Sequence, residues 1–244
     1  MDSNWLTKGV SADGFDWHGP VDPNTRKAIV DLEQNFKKIW YLERAVEASR
    51  SVGRVLFPNG KNFATCFLVA PKLILTNNHV FSTPEDTAGV RIQFNYREQY
   101  NGDLADPDEY QCDPTTFITD KTLDFTLVGL TQQARPAYLQ LRHGDSPVRG
   151  NHTAIIQHPS GSPLQVAMRD NSLVYDDANM IEYLTNTDYG SSGAPVFNDN
   201  WNVIALHSQR VKDPNSDIWY RNRGTKIEAI LRIIGKGVDQ LIPH

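Results

Sequence analysis

Between residues 52 and 207 the chain switches between apolar and polar positions in short runs. Apolar or alternating stretches at 53–57, 65–69, 72–75, 90–96, 125–130, 153–157, 164–168, 180–185, 195–198 and 203–207 are each four to seven residues long. Turn-forming residues separate them. Runs of that length and period predict β-strands, and their spacing suits an all-β barrel or sandwich better than βαβ units. The pattern differs at both flanks. The first 24 or so residues are rich in Gly, Asp, Pro and Trp without periodicity and read as an irregular arm. Over residues 24–50, Ile29, Leu32, Phe36, Ile39, Trp40 and Val46 recur at helical spacing, which predicts one amphipathic helix with that stripe buried. Ile227, Ile230, Leu231, Ile234, Val238 and Leu241 return to helical spacing and predict a terminal helix.

Composition narrows the classes. A chain of 244 residues, 39% hydrophobic and 22% charged, can bury a substantial core in one or two domains. A net charge of −5 argues against a nucleic-acid surface, since phosphate neutralisation needs clustered Lys and Arg. No apolar run is long enough to span a membrane as a helix. The N-terminus lacks the apolar core of a secretory signal, and the two cysteines, Cys66 and Cys112, are too few for a disulfide framework. Both features point to a cytoplasmic protein, with Cys66 a buried hydrophobe. Asp103, Asp106, Asp108, Glu109 and Asp113 lack the spacing of a calcium loop and read as a solvated loop. His18, His143, His152 and His244 lack ligand spacing, so neither metal nor cofactor is expected.

The chemistry-bearing candidates lie on the β-rich part. Tyr189-Gly190-Ser191-Ser192-Gly193-Ala194-Pro195 places Ser192 between glycines, as suits an exposed nucleophile. Serine needs a base and a group to orient that base. His79 closes the run Leu73-Ile74-Leu75-Thr76-Asn77-Asn78-His79, where an apolar strand gives way to a polar turn. Asp124 leads the apolar run Phe125-Thr126-Leu127-Val128. In the order His, Asp, Ser the first pair stands 45 positions apart and the second 68.

In these motifs the chain resembles the trypsin-like (chymotrypsin-fold) serine peptidases, and within them the bacterial glutamyl-endopeptidase-like branch, over roughly residues 52–241. The resemblance implies two antiparallel β-barrels with the cleft between them, His79 and Asp124 from the first and Ser192 from the second. The expected domains are residues 1–51, an arm and helix, and residues 52–244, the peptidase. The backbone amides of Gly190 and Ser192 are the expected oxyanion donors. The pancreatic enzymes carry Asp before the nucleophile to receive a freed N-terminus. Here Ser191 occupies that position, so that route of activation is not available.

In glutamyl endopeptidases a histidine fifteen positions after the nucleophile and a threonine five before it receive a P1 carboxylate. Those positions hold His207 and Thr187, which implies a preference for Glu or Asp at P1. Asn186 stands where enzymes cutting after Lys or Arg carry Asp. Ser208, Gln209 and Arg210 are expected to pair with the substrate backbone. The implied partner is a protein or peptide substrate, with the helix over 24–50 a possible dock for another protein. The leading expectation is a regulated intracellular bacterial effector endopeptidase. The alternative is a silent pseudoprotease that binds peptides or a partner protein.

Overall fold

The computed structural model describes residues 9–10, 16–17, 37–145, 147, 151–168, 172–212 and 219–235. The chain separates into two compact units, Met1–Ile39 and Trp40–His244. In the first, strands β1 (Gly9–Val10) and β2 (Asp16–Trp17) pair antiparallel.

Helix α1 (Ile39–Ser49) leads into the second unit. Its buried residues are Tyr41 and Ala48, with Ala45 packed beside them, a spacing of four then three. The Tyr41 ring lies 5.2 Å from that of Trp201. This corrects the expected stripe: Ile39, Trp40 and Val46 are exposed. The two alanines contribute little bulk to the inward face, and one aromatic ring does the anchoring. Residues 24–36 of the expected helix lie outside the described residues.

Strands β3 (Val52–Leu56), β4 (Phe63–Ala70), β5 (Leu73–Thr76), β6 (Arg91–Phe94), β7 (Asp108–Asp120) and β8 (Phe125–Leu130) close an antiparallel barrel in the order β3-β4-β5-β8-β7-β6. β4 is buried on both faces. Alternate residues such as Cys66 and Leu68 fill the barrel interior with Ile74, Phe94 and Val128. Phe67 and Val69 point the other way, into a core shared with Phe197, Leu206 and Ile230. That second core welds the barrel to the next sheet.

The acidic stretch expected as a solvated loop is strand from Asp108 onward. Tyr110 and Cys112 alternate inward, while Asp108 and Glu109 pair with Arg135 and Arg91 at 2.9 and 3.1 Å. One-sided alternation hidden among acidic residues obscured it. Among the described residues no cluster of His, Cys, Asp or Glu is placed to hold a metal. Both cysteines are free and buried, and burial pushes the Cys112 thiol up to about 12.

The second layer comprises β9 (Ala154–Gln157), β10 (Gln165–Ala167), β11 (Leu173–Asp176), β12 (Met180–Tyr183), β13 (Pro195–Phe197), β14 (Val203–Lys212) and β15 (Trp219–Lys226). They form an antiparallel sheet in the order β10-β9-β13-β14-β15-β12-β11, a half-barrel among the described residues. Ile155, Ile181, Tyr183, Val196 and Ile204 fill its inner face. Helix α2 (Ile227–Ile234) buries Ile227, Ala229, Ile230 and Leu231. It stops at Gly235, whose φ of 86° turns its amide back to Leu231 O at 3.1 Å. Residues 236–244 of the expected helix lie outside the described residues. The molecule is all-β in its body, a closed barrel and a half-barrel with flanking helices.

Candidate active site

β5 ends at Thr76, and the turn that follows holds His79. Val80 and Phe81 amides both return to Asn77 O, which closes the turn. Asn77 is buried and donates its side-chain amide to Asp124 O at 2.9 Å. Asp124 sits at the end of the β7–β8 hairpin with φ of 50°, a left-handed conformation that an aspartate tolerates better than most residues. That backbone aims its carboxylate back across the turn. The His79 amide donates to Oδ1 at 3.0 Å, and the ring Nδ1 lies 2.8 Å from Oδ2. Ser208 Oγ donates to the same Oδ2 at 2.5 Å. Burial raises the Asp124 pKa, but the hydrogen bonds from His79 and Ser208 and the His79 charge overcome it, leaving the carboxyl below its ordinary value. An ionised Asp124 holds Nδ1 protonated and leaves Nε2 as the basic nitrogen of His79.

The nucleophile loop joins β12 to β13. Gly193, at φ 86°, donates its amide to His207 O at 3.0 Å, and His207 donates to Ala194 O at 2.9 Å. A Cβ on Gly193 would fall 2.0 Å from Thr65 O. Gly190, at φ 87°, is also confined, and a Cβ there would meet His158 O at 2.8 Å. Ser191 is buried and its hydroxyl accepts from the Asp188 amide at 3.0 Å, a bracing role within the turn. The Gly190 and Ser192 amides donate to no other protein group among the described residues. Ser192 Oγ donates to Ser208 O at 3.3 Å and not to His79.

Thr65 on β4 links the layers. Its amide donates to Ser192 O at 2.8 Å and its hydroxyl to Gly190 O at 2.8 Å, while the hydroxyl accepts from the His158 amide at 3.1 Å. His158 itself is fully enclosed, with Nδ1 2.9 Å from Ser162 O and its ring stacked on Tyr96. Burial pushes its pKa down to about 4, against the Ser162 carbonyl and with Arg54 adding to the effect.

All nine residues expected from the sequence to form the site line one cleft of about 970 Å³. β13 pairs with β14 only as far as Leu206, and His207 bonds back to Gly193 and Ala194, so from Ser208 onward one edge of β14 has no neighbouring strand among the described residues. Gln209 and Arg210 are exposed along that edge. His207 is buried, its Nδ1 2.7 Å from the Tyr183 hydroxyl. Burial holds its pKa down at about 3, with His79 and Arg210 acting in the same direction and Asp124 against them. Thr187 Oγ1 donates to Asn222 Oδ1 at 2.6 Å.

Thr65, Tyr183, Asn222 and the hydroxyl of Ser208 were not singled out as side chains of the site by sequence. A buried tyrosine hydroxyl always requires a partner, but nothing in a linear pattern says that Tyr183 finds it on His207.

A closed barrel and a half-barrel, with a serine, a histidine and an aspartate meeting in the cleft, define the trypsin-like class. The chain matches the trypsin-like peptidase domain over residues 64–206 and belongs to that family. It is 34% identical over 205 residues to an uncharacterised protein, y4fB, of Sinorhizobium fredii, covering 74% of this chain and 31% of that protein. It is 31% identical over 184 residues to secreted RxLR effector protein 73 of Plasmopara viticola, covering 67% of this chain and 46% of that one. The chain thus spans less than half the length of each of these relatives. Its fold is similar to that of a serine endoprotease from Yersinia pestis, with a TM-score of 0.62 and 13% identity over 86% of this chain and 68% of that one. A Glu endopeptidase in complex with MPD gives a TM-score of 0.58 and 18% identity over 76% of this chain and 88% of that one.

Proposed function

We propose that the chain is a serine endopeptidase in which Ser192 Oγ attacks a peptide carbonyl, His79 Nε2 takes its proton and later delivers it to the leaving amine, and Asp124 holds the imidazole. The carrying observation is the Asp124 carboxylate, which binds both the amide and the ring of His79 while Ser208 covers its far side. The Gly190 and Ser192 amides, without protein partners among the described residues, are the donors for the tetrahedral oxyanion, a contribution on the order of a hundredfold or more in rate per donor. A rotation about the Ser192 side chain, away from Ser208 O, delivers the hydroxyl to the base. The substrate lies along the unpaired edge of β14, pairing with Ser208 to Arg210.

At P1 the pocket receives a side chain ending in oxygen. His207 and Thr187 line it, and the resemblance assigns them to Glu or Asp. A role as a cytoplasmic effector of a bacterium is a further proposal, as is docking of a partner protein on the exposed apolar face of α1, formed by Ile39, Trp40, Leu42 and Val46. The test is labelling with an active-site fluorophosphonate together with cleavage of a mixed peptide library. Label on Ser192 and cuts that vanish in Ser192→Ala support the reading. A folded protein that neither labels nor cuts sinks it in favour of a binding module.

A further inference from the structure

The hydrogen-bond polarity of the P1 pocket can be worked out atom by atom. Tyr183 is fully buried, and among the described residues its hydroxyl has one partner, His207 Nδ1. If Nδ1 carried the proton, the tyrosine O–H would be left buried without an acceptor. An unmade buried donor is costly, so the hydroxyl donates and Nδ1 accepts. The proton of His207 therefore sits on Nε2, which has no protein partner among the described residues and is open to the cleft. Protonating the ring would again orphan the tyrosine proton. Of the charged groups acting on the ring, Asp124 favours that protonation, and His79 and Arg210 oppose it. His207 is a neutral, one-directional donor.

Thr187 is the opposite element. Asn222 Nδ2 donates to Thr185 O, which fixes the orientation of the Asn222 amide and leaves Oδ1 facing Thr187. An amide oxygen can only accept, so the Thr187 hydroxyl has spent its proton there. What it offers to the cleft is lone pairs. The pocket therefore presents one donor, His207 Nε2–H, and one acceptor, Thr187 Oγ1.

Resting on the peptidase reading, we infer that this pocket selects a P1 carboxamide, glutamine above all, over an ionised carboxylate. The amide oxygen accepts from His207 Nε2–H, and the amide NH2 donates to Thr187 Oγ1. A carboxylate satisfies the first contact and sets oxygen against oxygen at the second. To relieve that, Thr187 must turn away from Asn222, leaving Asn222 Oδ1 buried and unmade. The residues that the resemblance assigns to Glu recognition thus read Gln when their own partners are included.

The test compares three quenched peptides identical except for Gln, Glu or Met at P1, cut by the full chain, with fluorophosphonate labelling run alongside. At pH 7.5 kcat/KM for Gln is expected to exceed that for Glu by about 10- to 100-fold. The Glu peptide should gain on Gln as pH falls and its side chain takes up a proton, because a neutral carboxyl regains the donor. Thr187→Val should compress the Gln-to-Glu ratio toward unity and Thr187→Ser should restore it. Tyr183→Phe, which frees Nδ1 to carry a proton, should also compress it. Labelling with Glu or Met cut as fast as Gln, or a ratio unmoved in Thr187→Val, overturns the inference and leaves the peptidase. Absence of both labelling and cutting overturns the peptidase reading, and the inference with it.

Discussion

Replacing Asp124 by Asn isolates the electrostatic role of the carboxylate from its shape. Position 124 holds φ at 50°, where Asn is one of the few residues at ease, so Asn keeps the hairpin while Ala would strain it. The carboxylate accepts from the His79 amide at Oδ1, and from the His79 ring and Ser208 Oγ at Oδ2. Asn supplies one oxygen and one NH2. Placed at Oδ1, the NH2 meets a backbone amide that cannot reverse its polarity. At Oδ2 it meets a hydroxyl that can rotate and a ring that can change tautomer, so it settles there. His79 then accepts at Nδ1 and carries its proton on Nε2, the nitrogen needed to receive the Ser192 proton. Loss of base function of this kind lowers rate by about 10³- to 10⁴-fold, or about 4 to 5.5 kcal/mol of transition-state stabilisation. The fluorophosphonate labelling rate of Asp124→Asn should fall by that factor, with a melting temperature close to the parent's. A labelling rate within tenfold of the parent, in protein whose His79→Ala variant is inert, would refute the assignment of Asp124.

Three other outcomes are expected. Gly193→Ala forces a Cβ to within 2.0 Å of Thr65 O at φ 86°, and should lose about 3 kcal/mol or more, a fall in melting temperature of roughly 6–12 °C, together with labelling. Tyr41→Ala removes the ring that anchors α1 to Trp201 and should cost roughly 3 kcal/mol by denaturant titration. Acid should destabilise the fold before the carboxylates titrate, because His158 and His207 are held near 4 and 3 from an ordinary 6.5. Between about 6.5 and 4 the unfolded chain binds protons that the folded chain refuses. Stability is therefore full above 6.5 and falls by about 1.4 kcal/mol per pH unit per histidine below it. A melting temperature that stays level from pH 7 to 4.5 would contradict this.

Chain order and local periodicity carried much of the molecule into the sequence. Strands such as β4 and β8 were legible because they are continuous apolar runs buried on both faces, and the nucleophile box because glycines at 190 and 193 meet close backbone contacts. β7 was not, since its inward residues Tyr110 and Cys112 alternate with acids that pair across the surface. The buried face of α1 was not legible because alanines count for little in an apolar stripe. Hydrogen-bond direction lay beyond any linear pattern. Thr187 and His207 are visible as residue types, but what they offer a ligand depends on Asn222 and Tyr183, which lie 35 and 24 positions away in the chain.

Thr65 carries a consequence for timing. It belongs to the first barrel, yet its amide and hydroxyl hold the carbonyls on either side of the nucleophile, and its own carbonyl leaves Gly193 no room for a side chain. The loop that would hold the oxyanion is therefore shaped by a residue that folds more than a hundred positions earlier. Neither barrel alone holds the Ser192 loop in this shape. If Ser192 is the nucleophile proposed above, hydrolysis requires the two barrels to be docked, because the loop that carries it is held from the first barrel. On the proposed peptidase reading, the seam between the barrels would serve as a safety catch.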